Sequence, residues 1–296
     1  MHAFNNAEVE AMPSFSAIPT GPAARPASHG VLLIATLALA ATFGWHGPIP
    51  QWVQYLAFAD TRPWFGVPNA ANVLSNLPFA AIGAWALLAL PRTRATAAWR
   101  AFSAALIATA AGSALYHWAP GNAPLVADRL PIAWACGALL CAFLGERVDA
   151  RWESMPALLA TTVAASASVA WWWLTEQHGH GDLRAYLFVQ FLPMLLVATA
   201  LALKLPARKP AAVPNRAWWA ALGLYATAKA LEVADHAVLD TLGFMSGHTL
   251  KHLLAAAAGL CLVRAVVRAG AGGRAGGGAV VRSAGRTSAT GARQLR

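Results

Sequence analysis

The sequence predicts an all-α protein, a polytopic transmembrane helix bundle with a seven-helix core and one extra N-terminal span. Three observations carry that prediction. Of the 296 residues, 58% are hydrophobic and 11% charged, against about 25% charged in a soluble globular chain, so the expected solvent is lipid. Apolar segments recur at about 30–46, 70–90, 99–118, 128–146, 155–174, 183–204, 216–238 and 247–268. Most are near the roughly 20 residues that a bilayer-spanning helix needs. Basic residues then fall on alternate connections. One set holds Arg92, Arg94 and Arg100, then Arg147 and Arg151, then Lys204, Arg208, Lys209 and Arg216, then the tail; the other holds little beyond Arg62, Arg129 and Arg184. That asymmetry places both termini in the cytoplasm. It also accounts for the net charge of +10 without a nucleic-acid partner.

The elements follow in order. Residues 1–29 are mixed, polar and Pro/Gly-containing, and read as a mobile N-terminal segment. Segment 30–46 is short, and reads as an extra span or as the apolar region of a signal sequence. The seven-helix domain is expected over 60–268. Residues 269–296 are Gly/Ala/Arg-rich and read as a disordered basic tail, solvated or resting on anionic head groups. Cys136, Cys141 and Cys261 lie in apolar segments without a CxxC pair and read as small core residues.

Ionisable groups inside a span are costly and mark function. In "GSALYH", Ser113 and His117 are four residues apart, hence on one helix face near the outer end of the third span. Asp128 opens the fourth span after a short Pro/Gly loop and can fold back toward His117. The last span opens with "SGHTLKHLL", which puts His248 and His252 on one face at the same depth. A His-x3-His pair joined by a third imidazole can grip zinc and leave a position open. The alternative is that these histidines only hydrogen-bond between helices; three at matched depth beside a carboxylate and a hydroxyl favour a metal site. A serine–histidine dyad of the intramembrane-protease kind would leave the His248/His252 pair without a role.

In the second span Asn69, Asn72, Ser75 and Asn76 recur at helical spacing. Asn69 reads as an interhelical hydrogen-bonder; Asn72, Ser75 and Asn76 read either so or as supports for the metal ligands. Lys229 and Glu232 in "YATAKALEVADHAVLD" either neutralise each other or line a polar cavity, with Asp235 and His236 following near the outer end. His178 and His180 read as exposed loop residues.

The set "GSALYHWAP…ADRLP", "SGHTLKH" and "NVLSNLPF" resembles the alkaline ceramidase family. That family lies within a superfamily of seven-span membrane hydrolases that also includes the progestin/adiponectin receptors. "FADTRPWFGVPNAANVLSN", "YLFVQFLPMLL" and "YATAKALE" are similar to bacterial ceramidase-like members, so the likeness runs from about Asp60 to Arg268. It implies a seven-helix core made of the second to eighth spans. It implies that His117, His248 and His252 bind zinc, and that Ser113 and Asp128 assist catalysis. The expected activity is zinc-dependent hydrolysis of the amide bond in a ceramide-like lipid. The zinc would lower the pKa of its bound water to about 7, Asp128 would handle the proton, and Ser113 would steady the oxyanion. The receptor branch supplies the alternative, a non-hydrolytic zinc-containing membrane sensor. Family members also bind calcium through an acidic segment before the first core helix. Here Asp60 is present, but Asn69 stands where a glutamate is expected and the acidic run is otherwise missing, so no calcium site is expected. The expected partners are a lipid amide and membrane lipids. The expected location is a bacterial inner membrane, with the site toward the periplasm.

Overall fold

The computed structural model describes residues 24–208 and 213–287, with side-chain detail within 28–270. The predicted mobile segment thus falls outside the described residues for 1–23. Among the described residues there are helices and no β-strand: α1 (Ala24–His46), α2 (Ala70–Leu74), α3 (Leu77–Ala89), α4 (Ala97–Trp118), α5 (Asn122–Arg147), α6 (Met155–Gln177), α7 (Arg184–Ala202), α8 (Asn215–Val233), α9 (Asp235–Leu242) and α10 (Gly247–Thr287). The chain is an all-α bundle with the character of an integral membrane protein. Six helical stretches are long and apolar enough to cross a membrane: Ser28–His46, Ala70–Ala89, Asn122–Arg147, Met155–Gln177, Arg184–Ala202 and Gly247–Gly270.

Helices α4 and α8, both expected as spans, fall outside that set. The reason is polar content: Arg216, Lys229 and Glu232 on α8, and Arg100, Ser103, Thr109, Ser113 and His117 on α4. Both are nevertheless wrapped by the bundle, with Trp99 and Tyr116 of α4 and Trp218 of α8 buried. By contrast α1 packs against α7 and keeps Leu33, Ile34 and Leu37 exposed. Exposed leucines are stable there only if their solvent is apolar.

Several boundaries depart from expectation. The second span breaks into α2 and α3. The Ser75 hydroxyl and the Asn76 amide both donate to the Asn72 carbonyl, at 3.0 and 2.8 Å, and Pro78 cannot donate to the turn before it. The fourth span begins six residues early, because Asn122 to Ala127 already form the first turns of α5. Asp128 therefore sits within the helix rather than at its start. The span expected at 216–238 ends at Val233, and α9 restarts at Asp235 before Gly243 closes it at φ 76°. The α10 backbone continues to Thr287, past the boundary at which a disordered tail is expected; extension of an established helix adds one hydrogen bond per residue without a new nucleus.

At the end of the bundle away from the three histidines, arginines do more than carry charge. Arg100 donates to the carbonyls of Leu87 and Leu90 at 2.8 and 2.7 Å, and Arg147 to that of Leu205 at 2.9 Å. Arg208 donates to the Gly145 carbonyl at 2.7 Å and pairs with Glu153 at 2.9 Å. Arg100 and Arg208 thus supply donors to carbonyls at helix ends that the helix itself leaves unpaired, and Arg147 ties α5 to the connection after α7.

At the opposite end two glycines set the spacing. A Cβ at Gly112 would stand 1.9 Å from the Ala127 carbonyl oxygen, so α4 and α5 touch backbone to backbone there. A Cβ at Gly247 would stand 2.1 Å from the Leu231 oxygen, so the start of α10 rests on the end of α8. These contacts bring Ser113, His117, Asp128, His248 and His252 to one end of the bundle.

Candidate metal centre

His117 lies in the last turn of α4; His248 and His252 lie in the first two turns of α10. All three are buried, at 1%, 4% and 5% exposure. The Nε2 atoms of His117 and His248 are 3.2 Å apart, and one nitrogen from each of the three rings lies within 4.8 Å of the others. The ring centroids form a near-equilateral triangle with sides of 4.8, 4.9 and 5.0 Å. Zinc–imidazole bonds of 2.0–2.1 Å in a tetrahedron give nitrogen–nitrogen edges of about 3.3 Å. The His117–His248 pair already stands at that spacing, so the donor set fits a small, borderline-soft divalent ion. The three histidines form a possible metal site, as their spacing predicts.

The ligands are held from behind. The Ser75 hydroxyl is 2.8 Å from His252 Nδ1, which leaves Nε2 of that ring for the ion. Asp235 accepts from the backbone N–H of His248 at 2.7 Å and from that of Ala59 at 2.9 Å. It thereby ties the start of α10 to the segment before α2. Asn72 accepts from Thr249 at 2.8 Å and donates to the Asp60 carbonyl at 3.2 Å. Asn76 donates to the Asn72 carbonyl, and Asn69 to the His117 carbonyl at 2.7 Å. Thus Ser75 meets a ligand directly, while Asn72 and Asn76 act through their neighbours. Phe58 covers the centre, with its ring 4.7 Å from that of His117 and 4.9 Å from that of His248. The Nδ1 of His117 is buried without a hydrogen-bond partner among the described residues.

Asp128 does not fold back from a loop. It sits on α5 across the Gly112 contact, and its side chain and that of Ser113 line the same cavity. Ser113, Asp128 and His252 line one region of a cavity of about 380 Å³. The same cavity is lined farther along by Leu139, Trp218, Leu222 and Leu262, the beginning of α8 and the middle of α10. Most of this wall is apolar, as a hydrocarbon chain requires. Lys229 and Glu232 fulfil both expectations: they pair with each other and line the cavity. A third member, Lys251, also reaches Glu232, at 2.5 Å.

Sequence reasoning missed Phe58, Lys251 and the reach of Asp235. A signal existed for Lys251, which lies between the two histidines of "HTLKH". His236 is exposed, and so are His178 and His180, as expected of their loop. Asp60 is held by Arg62 at 2.7 Å, and that guanidinium keeps its carboxyl below the usual carboxylate range. Among the described residues the histidine trio is the group of metal-ligating side chains that converges in this way.

A scan against models of known protein families finds no match, and no curated protein matches the chain. Fold and site thus define the class: an all-α integral membrane protein with a buried three-histidine centre opening on an apolar cavity.

Proposed function

We propose that the protein is a zinc-dependent intramembrane hydrolase that cleaves the amide bond of a ceramide-like lipid. The observation that carries this reading is the meeting of three buried imidazoles with a Ser–Asp pair at one region of a largely apolar cavity. His117, His248 and His252 would hold the ion. When bound, it supplies Lewis acidity, polarising a carbonyl and lowering the pKa of water at its open position to about 7.

The chain's own groups do the rest. The apolar wall takes the acyl chain and leaves the amide beside Ser113 and Asp128. Asp128 holds the proton taken from water on a carboxylate oxygen and passes it to the leaving nitrogen. The Ser113 hydroxyl turns from Asp128 to the developing oxyanion, a donor of the kind worth about 3–4 kcal/mol. Phe58 keeps bulk water from the histidines. The arginines at the other ends of the helices support an orientation with the site toward the periplasmic side of a bacterial inner membrane. The resemblance to alkaline ceramidases supports an amide as the scissile bond.

The test is metal analysis of the purified chain, with mass spectrometry of fatty acid released from N-acyl lipids. About one zinc per chain is expected, with release abolished in His117→Ala while the variant still inserts. Full metal content with ligand-dependent conformational change and no turnover would instead identify the non-hydrolytic sensor.

A further inference from the structure

Arg129 is the unusual residue of the cavity wall. It belongs to a transmembrane helix, is 3% exposed, and is the immediate neighbour of Asp128. Its guanidinium lies 4.0 Å from the Trp172 ring centre, with the Tyr186 and Tyr55 rings at 5.3 and 5.4 Å. These aromatic faces steady the cation but accept no strong in-plane hydrogen bonds. One terminal nitrogen donates to the Gln51 side chain. Nε and Nη1 are buried and have no hydrogen-bond partner among the described residues.

Nor does any acid pair with it. The ion pairs among the described residues are Arg62–Asp60, Arg184–Asp182, Arg208–Glu153, Lys229–Glu232 and Lys251–Glu232. Lys229 and Lys251 share the one carboxylate of Glu232, whereas no carboxylate stands within ion-pair distance of Arg129 among the described residues. Arg129 stands as a buried cation without an ion-pair partner among the described residues, in the wall of the cavity that Ser113 and Asp128 also line. A buried charge without a counter-ion is among the most costly arrangements a fold can hold, most of all within lipid.

We propose that Arg129 is an anion-binding subsite for a carboxylate on the amine side of the substrate. The lipid amide is then an N-acylated amino acid rather than a neutral amide. One carboxylate brings the single negative charge that one guanidinium without an ion pair calls for, and oxygens that accept from it. Gln51 and Tyr55 lie outside the bundle's long helices, so this end of the cavity is the polar mouth, while Trp218 and Leu262 mark the apolar depth. The carboxylate sits at the mouth and the acyl chain in the depth. This assignment rests on the hydrolase reading for its reaction: water adds across the amide, the C–N bond breaks, and fatty acid and free amino acid leave.

The test compares N-oleoylglycine with N-oleoylethanolamine, equal in acyl chain and amide but differing in the carboxylate. Both are offered to the metal-loaded full chain in detergent. Two readouts are taken, fatty-acid release and binding followed by tryptophan fluorescence. The expected preference for the acidic amide is at least about tenfold, equivalent to about 1.4 kcal/mol, in kcat/KM and in Kd. Arg129→Gln should bring both ratios close to one. Gln51→Glu, which supplies a carboxylate to the same guanidinium, should do likewise, and the wild-type comparison needs no variant to fold. Turnover of both amides without preference overturns the subsite and leaves the hydrolase standing. A binding preference without turnover of either keeps the subsite and overturns the hydrolase. Neither turnover nor preference overturns both.

Discussion

Replacing Gly112 by alanine places one methyl group where α4 and α5 touch. Its Cβ would stand 1.9 Å from the Ala127 carbonyl oxygen and 2.7 Å from the carbonyl carbon, where ordinary contact begins at 3.4 Å. The two helices must therefore part by about 1.5 Å, since the obstacle is backbone and no rotamer can relieve it. α4 has little room to retreat: on its other side α3 approaches so closely that a Cβ at Gly83 would lie 2.4 Å from the Ser103 oxygen. The displacement falls on α5, which carries Asp128 away from Ser113. The three histidines stand on α4 and α10 and keep their places. The expected result is separation of two properties. On the proposed function, zinc content stays near one per chain, while amide hydrolysis falls about 100-fold, the cost of a displacement of about 1 Å at a reacting group. Overpacking should also cost about 1–3 kcal/mol of stability. That lowers Tm by about 2–4 °C per kcal/mol for a chain of this size. Gly223→Ala, where a Cβ meets nothing within 4 Å, is the control and should leave all three measurements unchanged or slightly improved. Wild-type turnover and Tm in Gly112→Ala would refute the close crossing. Loss of zinc together with turnover would show that α4 is the helix that yields.

Two further outcomes follow from groups around the site. Ser75→Ala removes the hydroxyl at His252 Nδ1 and should weaken zinc affinity about 10–100-fold in competition with a chelator. Unchanged affinity would detach Ser75 from the centre. In the connection between α6 and α7, hydrogen bonds from Arg184 hold the Asp182 carboxyl well below its ordinary range; the same carboxylate accepts from Trp171 at 3.1 Å and from the Ile49 backbone. A carboxyl depressed in the folded state contributes stability above its unfolded pKa of about 3.9 and loses it as pH falls through that value and below. Tm should therefore drop as pH is lowered from about 5 to about 2. Asp182→Asn should start lower and show a flatter slope. An identical slope in the variant would remove Asp182 from the account.

The parts of this site that were legible in the sequence are those that helix geometry converts directly into position. Four-residue spacing puts Ser113 with His117 and His248 with His252 on shared faces, and counting spans from the arginine pattern sets all of them at one depth. The convergence of three imidazoles needs nothing more. What stayed hidden depends on side chains that act on distant backbone. Asp235 lies 176 residues from Ala59 and 13 from His248, yet clamps both N–H groups, and no local pattern encodes a bond across such a gap. The break at Ser75–Asn76 arises from polar side chains that compete with the helix ladder inside an apolar segment. Hydropathy averages over them and sees a continuous span.

Physical cost then separates support from function. In lipid a polar group without a partner cannot turn to water, so Ser75, Asn72, Thr249 and Asp235 are each bound to something. Several buried atoms break that rule, among them Asn76 Oδ1, Arg147 Nε, Trp172 Nε1, Trp218 Nε1, the Tyr225 hydroxyl, His117 Nδ1 and two nitrogens of Arg129. Of these residues Asn76, Arg129, Trp218 and Tyr225 line the cavity beside the histidine trio, so much of the unmet polar demand stands where a ligand can meet it.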